Sequence, residues 1–245
     1  LKADKAHKIM IMVDLGDLRE GIFDNKEIDD VCHELKTFKN IEVVGIGTNL
    51  TCYGGVIPNE KNLSKLVELG KYIEQVLATK LEIISGGNSS SVYLLEQGRV
   101  IEGINQLRLG EAILLGTESA HGENLPDSYQ DAFTLVAEII EIKEKPSLPI
   151  GEIGRNAFGK VPFFVDKGIR KRAILAVGKQ DFANHKIEPI DKSIEILGSS
   201  SDHLIVDIND CCRNLKVGDE LKFHVSYGAM LALTTSEYVY KNIIK

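Results

Sequence analysis

Apolar and polar positions change their rhythm part-way along the chain. In the first half, short uninterrupted apolar runs alternate with stretches of helical period. Ile9-Met10-Ile11-Met12-Val13 is apolar throughout, the pattern of a parallel strand covered on both faces. Asp24-Asn25-Lys26-Glu27 has capping-box spacing, and Ile28, Val31, Cys32 and Leu35 behind it share one helical face. Ile41 to Ile46 predicts the next strand. Asn59 or Asn62 caps a second helix, with Leu63, Leu66, Val67, Gly70, Ile73 and Leu77 as its buried stripe. Leu81 to Ser85 predicts a third strand, Val92 to Glu96 a short helix, and Ile104 to Arg108 a fourth strand. Strand and helix in this alternation imply right-handed crossovers and a parallel sheet or barrel.

The rhythm stops near Gly116, and His121 to Ser128 reads as loop. Beyond it the period becomes two. Leu221-Lys222-Phe223-His224-Val225 alternates strictly, as a half-buried antiparallel strand requires, and Ile194 to Leu197 and Leu204 to Ile208 are similar. Gly218-Asp219 is a turn signal. The pattern predicts an α/β portion over residues 1–125 and a mainly antiparallel β domain over 126–245.

Composition narrows the class. A chain of 245 residues can bury a core without disulfide or metal staples. Its apolar runs fall far short of the roughly 18 residues that span a bilayer, so no membrane segment is expected. A net charge of −7 argues against wrapping a phosphate backbone, so nucleic acid is not an expected partner. The four cysteines form no C-x-x-C pair, and Cys211 and Cys212 are direct neighbours, a geometry that strains a mutual disulfide. The six histidines show no ligand spacing, so no metal site is expected. These features predict a soluble cytoplasmic protein. The chain opens on Leu1 rather than methionine, and the expectation is that it continues a longer protein.

In parallel sheets and barrels, ligands gather at the carboxyl ends of the strands. The four predicted strands are followed by Asp14-Leu15-Gly16-Asp17-Leu18-Arg19-Glu20-Gly21, Gly47-Thr48-Asn49-Leu50-Thr51-Cys52, Gly86-Gly87-Asn88-Ser89-Ser90-Ser91 and Leu109-Gly110-Glu111. All four are polar and glycine-bearing, as an active-site rim is. Read alone, Arg108 fits a structural ion pair at a strand end. The Gly-Gly-Asn-Ser turn fits an ordinary loop as well as a phosphate cradle.

Taken in order, these segments resemble the pyridoxal-phosphate amino-acid racemases of the alanine racemase fold, in particular the alanine/ornithine racemase-like branch. The resemblance runs from Val13 to near Tyr238. It implies part of a (β/α)8 TIM-type barrel, carrying about half of the eight strands, followed by a β domain. It also implies pyridoxal 5'-phosphate as cofactor, a small amino-acid substrate such as alanine, ornithine or another basic amino acid, and a head-to-tail homodimer. Arg108-Leu109-Gly110 matches the family segment whose arginine bonds the cofactor's pyridine nitrogen. A guanidinium keeps its proton at any working pH, which would leave that nitrogen largely unprotonated.

Asn88, Ser89, Gly110 and Glu111 would hold the cofactor phosphate, and Asp14 to Arg19 resembles the segment whose arginine meets the substrate carboxylate. Asn49 stands where alanine racemases carry a histidine against the cofactor ring, and Met12 where some relatives carry a carbamylated lysine. In the β domain, Ser201 and Asp202 begin a stretch resembling the one that reaches the partner subunit's site. Gly178-Lys179-Gln180-Asp181 replaces the turn that carries a catalytic tyrosine. Lys179 therefore stands as second base, substrate-binding group or solvated lysine. Tyr238 lies near a family tyrosine that bonds the phosphate. Lys2, Lys5 and Lys8 do not fit the family's Schiff-base lysine, so the chain alone is expected to be inactive. Two other readings stay open: a non-catalytic pyridoxal-phosphate binder, and an unrelated phosphate-binding barrel enzyme.

Overall fold

The computed structural model describes residues 5–156 and 158–244; Leu1 and Lys2 lie outside them. The chain divides between Gln130 and Asp131 into two compact units.

In the first unit three parallel strands, β1 (His7–Met12), β2 (Ile41–Gly47) and β3 (Ile83–Ser85), pair in the order β1-β2-β3. Lys8 lies within β1, and Glu42 and Glu82 hold its ammonium at 3.9 and 3.7 Å, at the amino ends of the strands. Helix α1 (Asn25–Leu35) is capped by Asp24, whose carboxylate accepts from the Lys26 amide at 2.9 Å. Helix α2 (Glu60–Leu77) begins in a reciprocal cap. Asn59 accepts from the Asn62 amide at 3.0 Å, and Asn62 accepts from the Asn59 amide at 2.8 Å. Ile28 and Cys32 of α1 and Leu66 and Ile73 of α2 close over Ile11, Val43 and Ile46 of the sheet.

Two expectations need correction. The third strand starts at Ile83, because Glu74 of α2 takes the Leu81 amide at 2.9 Å. The segment Ile104 to Arg108 forms no strand and touches the sheet through one bridge, Ser85 to Gln106. The Asn105 side chain is the reason. It accepts from the Ile84 amide and donates to the Glu82 carbonyl, both at 2.8 Å, taking the place of ladder bonds. The segment is nevertheless extended, and the Arg108 amide donates to the Gly87 carbonyl at 2.9 Å. Between β3 and this segment lie a 3-10 turn (Ser89–Ser91) and α3 (Val92–Glu96); α4 (Glu111–Leu115) follows it.

The second unit is a six-stranded antiparallel sheet in the order β6-β9-β4-β5-β8-β7. Its spine is β4 (Thr134–Pro146), which pairs with β9 (Glu220–Val225) through Thr134–Glu138 and with β5 (Ile169–Leu175) through Ile139–Pro146. The shorter strands are β6 (Ile187–Pro189), β7 (Glu195–Ser199) and β8 (Leu204–Asp207). Leu135, Ala137 and Ile139 alternate inward from β4 and meet Leu175, Val206 and Phe223 in one core. Helix α5 (Lys179–Phe182) turns the chain after β5, and α6 (Tyr227–Thr235) covers the core with Ala229 and Leu233. The alternation rule reads strands only, so α6, apolar nearly all round, was not anticipated.

Candidate active site

The carboxyl ends of β2 and β3 converge on Arg108. Its guanidinium donates to the Ser85 hydroxyl at the end of β3, to the Thr48 carbonyl at 2.8 Å and to Asn49 Oδ1 at 2.6 Å, both just past β2. Gly47 makes room for it, since a Cβ there would stand 3.3 Å from Arg108 Nη1. Burial pulls the guanidinium's basicity down, and the Arg19 charge adds to that, while Glu20 opposes it. The buried Thr48 hydroxyl beside it has no partner among the described residues.

Arg19 sits on the loop after β1, which is shaped by its own residues. Asp14 accepts from the Gly16 amide at 2.7 Å and the Leu18 amide at 3.1 Å, and Leu18 takes a left-handed φ of 57°. Buried Asp17 then accepts from the amides of Cys52, Tyr53 and Val56 at 3.0, 2.8 and 3.0 Å, tying this loop to the one after β2. Burial pushes its carboxyl up, but these amides win and hold it below the usual carboxylate range. Arg19 makes a two-pronged pair with Glu20, and Glu20 also accepts from Asn49 Nδ2. The Arg19 bond pulls the Glu20 carboxyl below its ordinary range. Asn49 thus lies in hydrogen-bond contact with Arg108 on one side and Glu20 on the other, rather than free to face a ring.

Ser89 Oγ accepts from the Gly110 amide at 3.2 Å and the Ala112 amide at 3.1 Å, joining the third and fourth rim segments. The Asn88 side chain ties the third rim segment to the second. It accepts from the Ser90 amide at 2.8 Å and donates to the Leu50 carbonyl at 3.0 Å. Glu111 is half-buried and accepts from Thr117 at 3.3 Å; burial pushes its carboxyl up. Open space adjoins the Cα of Gly110.

The second unit gathers the other candidates. The Lys179 and Gln180 amides donate to the Ser200 and Ser201 carbonyls at 3.0 and 2.8 Å, so Lys179, Ser201 and Asp202 share one corner. Asp202 accepts from the hydroxyls of Ser200 and Ser201 at 3.1 and 3.2 Å and contacts His203 Nδ1 at 3.0 Å. The Ser200 bond leads in holding its carboxyl below the usual range. Lys179 Nζ lies 3.5 Å from the centre of the Phe158 ring, a partner that sequence spacing did not suggest. Ser236 bonds Asp181 at 2.9 Å, and Tyr238 joins this corner through its backbone only, its ring being exposed. Glu20 falls in the first rim segment, but nothing in the sequence marks its partner. It is the neighbour of Arg19 in sequence, but its contact with Asn49 spans 29 residues and depends on the loop's left-handed turn.

A parallel sheet whose strand ends present a caged arginine and a serine-amide junction, followed in the chain by an antiparallel β unit, is an α/β fold with its polar groups gathered where such folds bind ligands. Comparison with known proteins specifies it. The family model for the alanine racemase N-terminal domain matches residues 1–118. Ornithine racemase of Acetoanaerobium sticklandii is 52% identical over 241 residues, covering 98% of this chain and 68% of that protein. Lysine racemase of Thermotoga maritima is 43% identical over 234 residues, covering 96% and 65%. Among solved structures, alanine racemase from Bartonella henselae with covalently bound pyridoxal phosphate aligns at a TM-score of 0.59 and 19% identity, over 93% of this chain and 61% of that one. The chain belongs to the alanine racemase family. It has that family's fold, an α/β barrel portion followed by a β domain, and spans about two thirds of the length of these relatives.

Proposed function

We propose that the protein is an amino-acid racemase that uses pyridoxal 5'-phosphate to interconvert the enantiomers of a basic amino acid, with ornithine and lysine as the first candidates. The choice of substrate rests on the two relatives named ornithine and lysine racemase. The observation that carries the reading is the Arg108 cage, three acceptors from two adjacent strand ends around one guanidinium.

The chain's own residues fit the cofactor. Both amides that converge on Ser89 Oγ use its lone pairs, leaving the hydroxyl proton to donate to an anion, and the space at Gly110 accommodates one. Bound there, pyridoxal phosphate would supply an electron sink that makes the substrate α-proton acidic. Arg108 would donate to its ring nitrogen without releasing a proton, since a guanidinium stays protonated at any working pH. Arg19 would receive the substrate carboxylate, the two-pronged geometry it already uses with Glu20. Lys179 is proposed as the proton carrier on one face of the α-carbon, reached across a head-to-tail homodimer in which Ser201 and Asp202 of one subunit serve the other's barrel. The lysine that holds the cofactor would serve the opposite face. Lys8, paired at the amino ends of the strands, is unsuited to that role.

Among the described residues no helix is long and apolar enough to cross a membrane, and all four cysteines are free thiols. The free thiols fit a reducing compartment, and a cytoplasmic site of action is proposed on that ground. The test is to purify the full-length protein with pyridoxal phosphate and follow both enantiomers of ornithine, lysine and alanine by chiral chromatography. Interconversion of ornithine or lysine, slower for alanine, is the expected result; a cofactor-loaded protein that converts none of them overturns the reading.

A further inference from the structure

Two guanidinium groups, Arg19 and Arg108, face one rim, and a single carboxylate contacts both their networks. Glu20 pairs with Arg19 directly and accepts from Asn49 Nδ2, while Asn49 Oδ1 accepts from Arg108 at 2.6 Å. We propose that Glu20 is a positioning residue: it sets the polarity of the Asn49 amide and thereby fixes the Arg108 guanidinium for its ligand.

The argument turns on the amide. An asparagine side chain presents an acceptor on one side and donors on the other. Arg108 offers only donors, so the Asn49 oxygen must face it, and the NH2 group then faces away. Glu20 is the acceptor that receives that NH2. Without it, the Arg108 contact alone holds the amide, and the rotated form sets donor against donor beside a half-buried cation. Glu20 contacts Arg19 directly and reaches Arg108 through Asn49; burial chiefly depresses the basicity of Arg108, Arg19 adds to that, and Glu20 opposes it. The Arg19–Glu20 pair is itself largely solvated, with side chains 46% and 40% exposed. Such pairs add little to stability. Removing Glu20 should therefore disturb ligand placement while leaving the fold intact.

The inference rests on the racemase reading for the identity of the ligand alone, and the experiment separates the two. In the full-length protein, Glu20→Ala and Asn49→Ala should each weaken pyridoxal phosphate binding about tenfold, the loss expected for one hydrogen bond to a charged group. The double variant should bind no more weakly than either single one, because both break the same chain. Glu20→Gln, which retains an oxygen for Asn49, should lose less than Glu20→Ala. Melting temperatures should stay within about 2 °C of wild type. Phenylglyoxal modification followed by peptide mass mapping gives a cofactor-free readout, and Arg108 should react faster in both single variants. Additive losses of affinity, or an Arg108 reaction rate unchanged by Glu20→Ala, overturn the proposal. A wild-type protein that takes up no pyridoxal phosphate overturns the racemase reading instead, and the Arg108 reaction rates then decide the role of Glu20.

Discussion

Arg108 has three acceptors at fixed positions, and only a planar fork of donors can reach them together. Lysine at this position keeps the charge but cannot span Ser85, Thr48 and Asn49. Arg108→Lys should therefore weaken cofactor binding about tenfold, as loosening its cage does, lower kcat by about 1.5–3 kcal/mol in barrier terms, roughly tenfold to a hundredfold, and permit side products such as the transamination product. Steady-state rates with product analysis check this; wild-type turnover and product ratio would remove Arg108 from the site. Ser89 gives a second residue-scale expectation. Ser89→Ala should weaken cofactor binding by about 1–3 kcal/mol, measured by titration of the apoprotein, and an unchanged affinity would place the phosphate elsewhere. Asp17 gives a pH signature. Its folded pKa lies below the usual value, so its contribution is complete above pH ~4 and fades as pH falls further. Asp17→Asn should thus cost stability in urea at neutral pH, with the gap from wild type narrowing toward pH ~3.

The elements that carry these residues were legible in part. Continuous apolar runs gave β1 and β2, and the asparagine pair Asn59 and Asn62 gave the start of α2. The third and fourth segments were misjudged for a shared reason: side chains from outside the ladder, Glu74 and Asn105, take amides that a strand would use. Apolar pattern records burial, and such substitutions leave burial unchanged. The rim itself was legible as four polar segments in order, whereas the Glu20–Asn49 contact was not, because it depends on loop shape rather than spacing. Gly45 shows how tightly elements fix the rim. A Cβ there would meet the Ile83 carbonyl oxygen at 2.6 Å, where backbone cannot yield. Gly45→Ala should cost about 1–3 kcal/mol in chemical denaturation by parting β2 from β3, and with them Asn49 from Ser85. A neutral substitution would show that the strand pair has slack.

At the scale of the whole molecule, the two units divide the proposed chemistry: cofactor and carboxylate contacts in the first, and the proton carrier in the second. The proposed head-to-tail dimer makes each active site from two subunits, and complementation tests it. Full-length Arg108→Ala and Lys179→Ala subunits, each inactive alone, should together recover roughly a quarter of wild-type activity, since half the dimers are mixed and each holds one intact site. No recovery despite proven subunit exchange would confine the site to one chain. The central claim, reversible removal of an α-proton, has a more direct test. Full-length protein loaded with pyridoxal phosphate is incubated with L-ornithine, and separately D-ornithine, in deuterium oxide, and the α-position is followed by proton NMR. The account predicts that both enantiomers lose their α-proton signal to solvent deuterium while the other enantiomer appears. Retention of the α-proton in both, with cofactor bound, would contradict it.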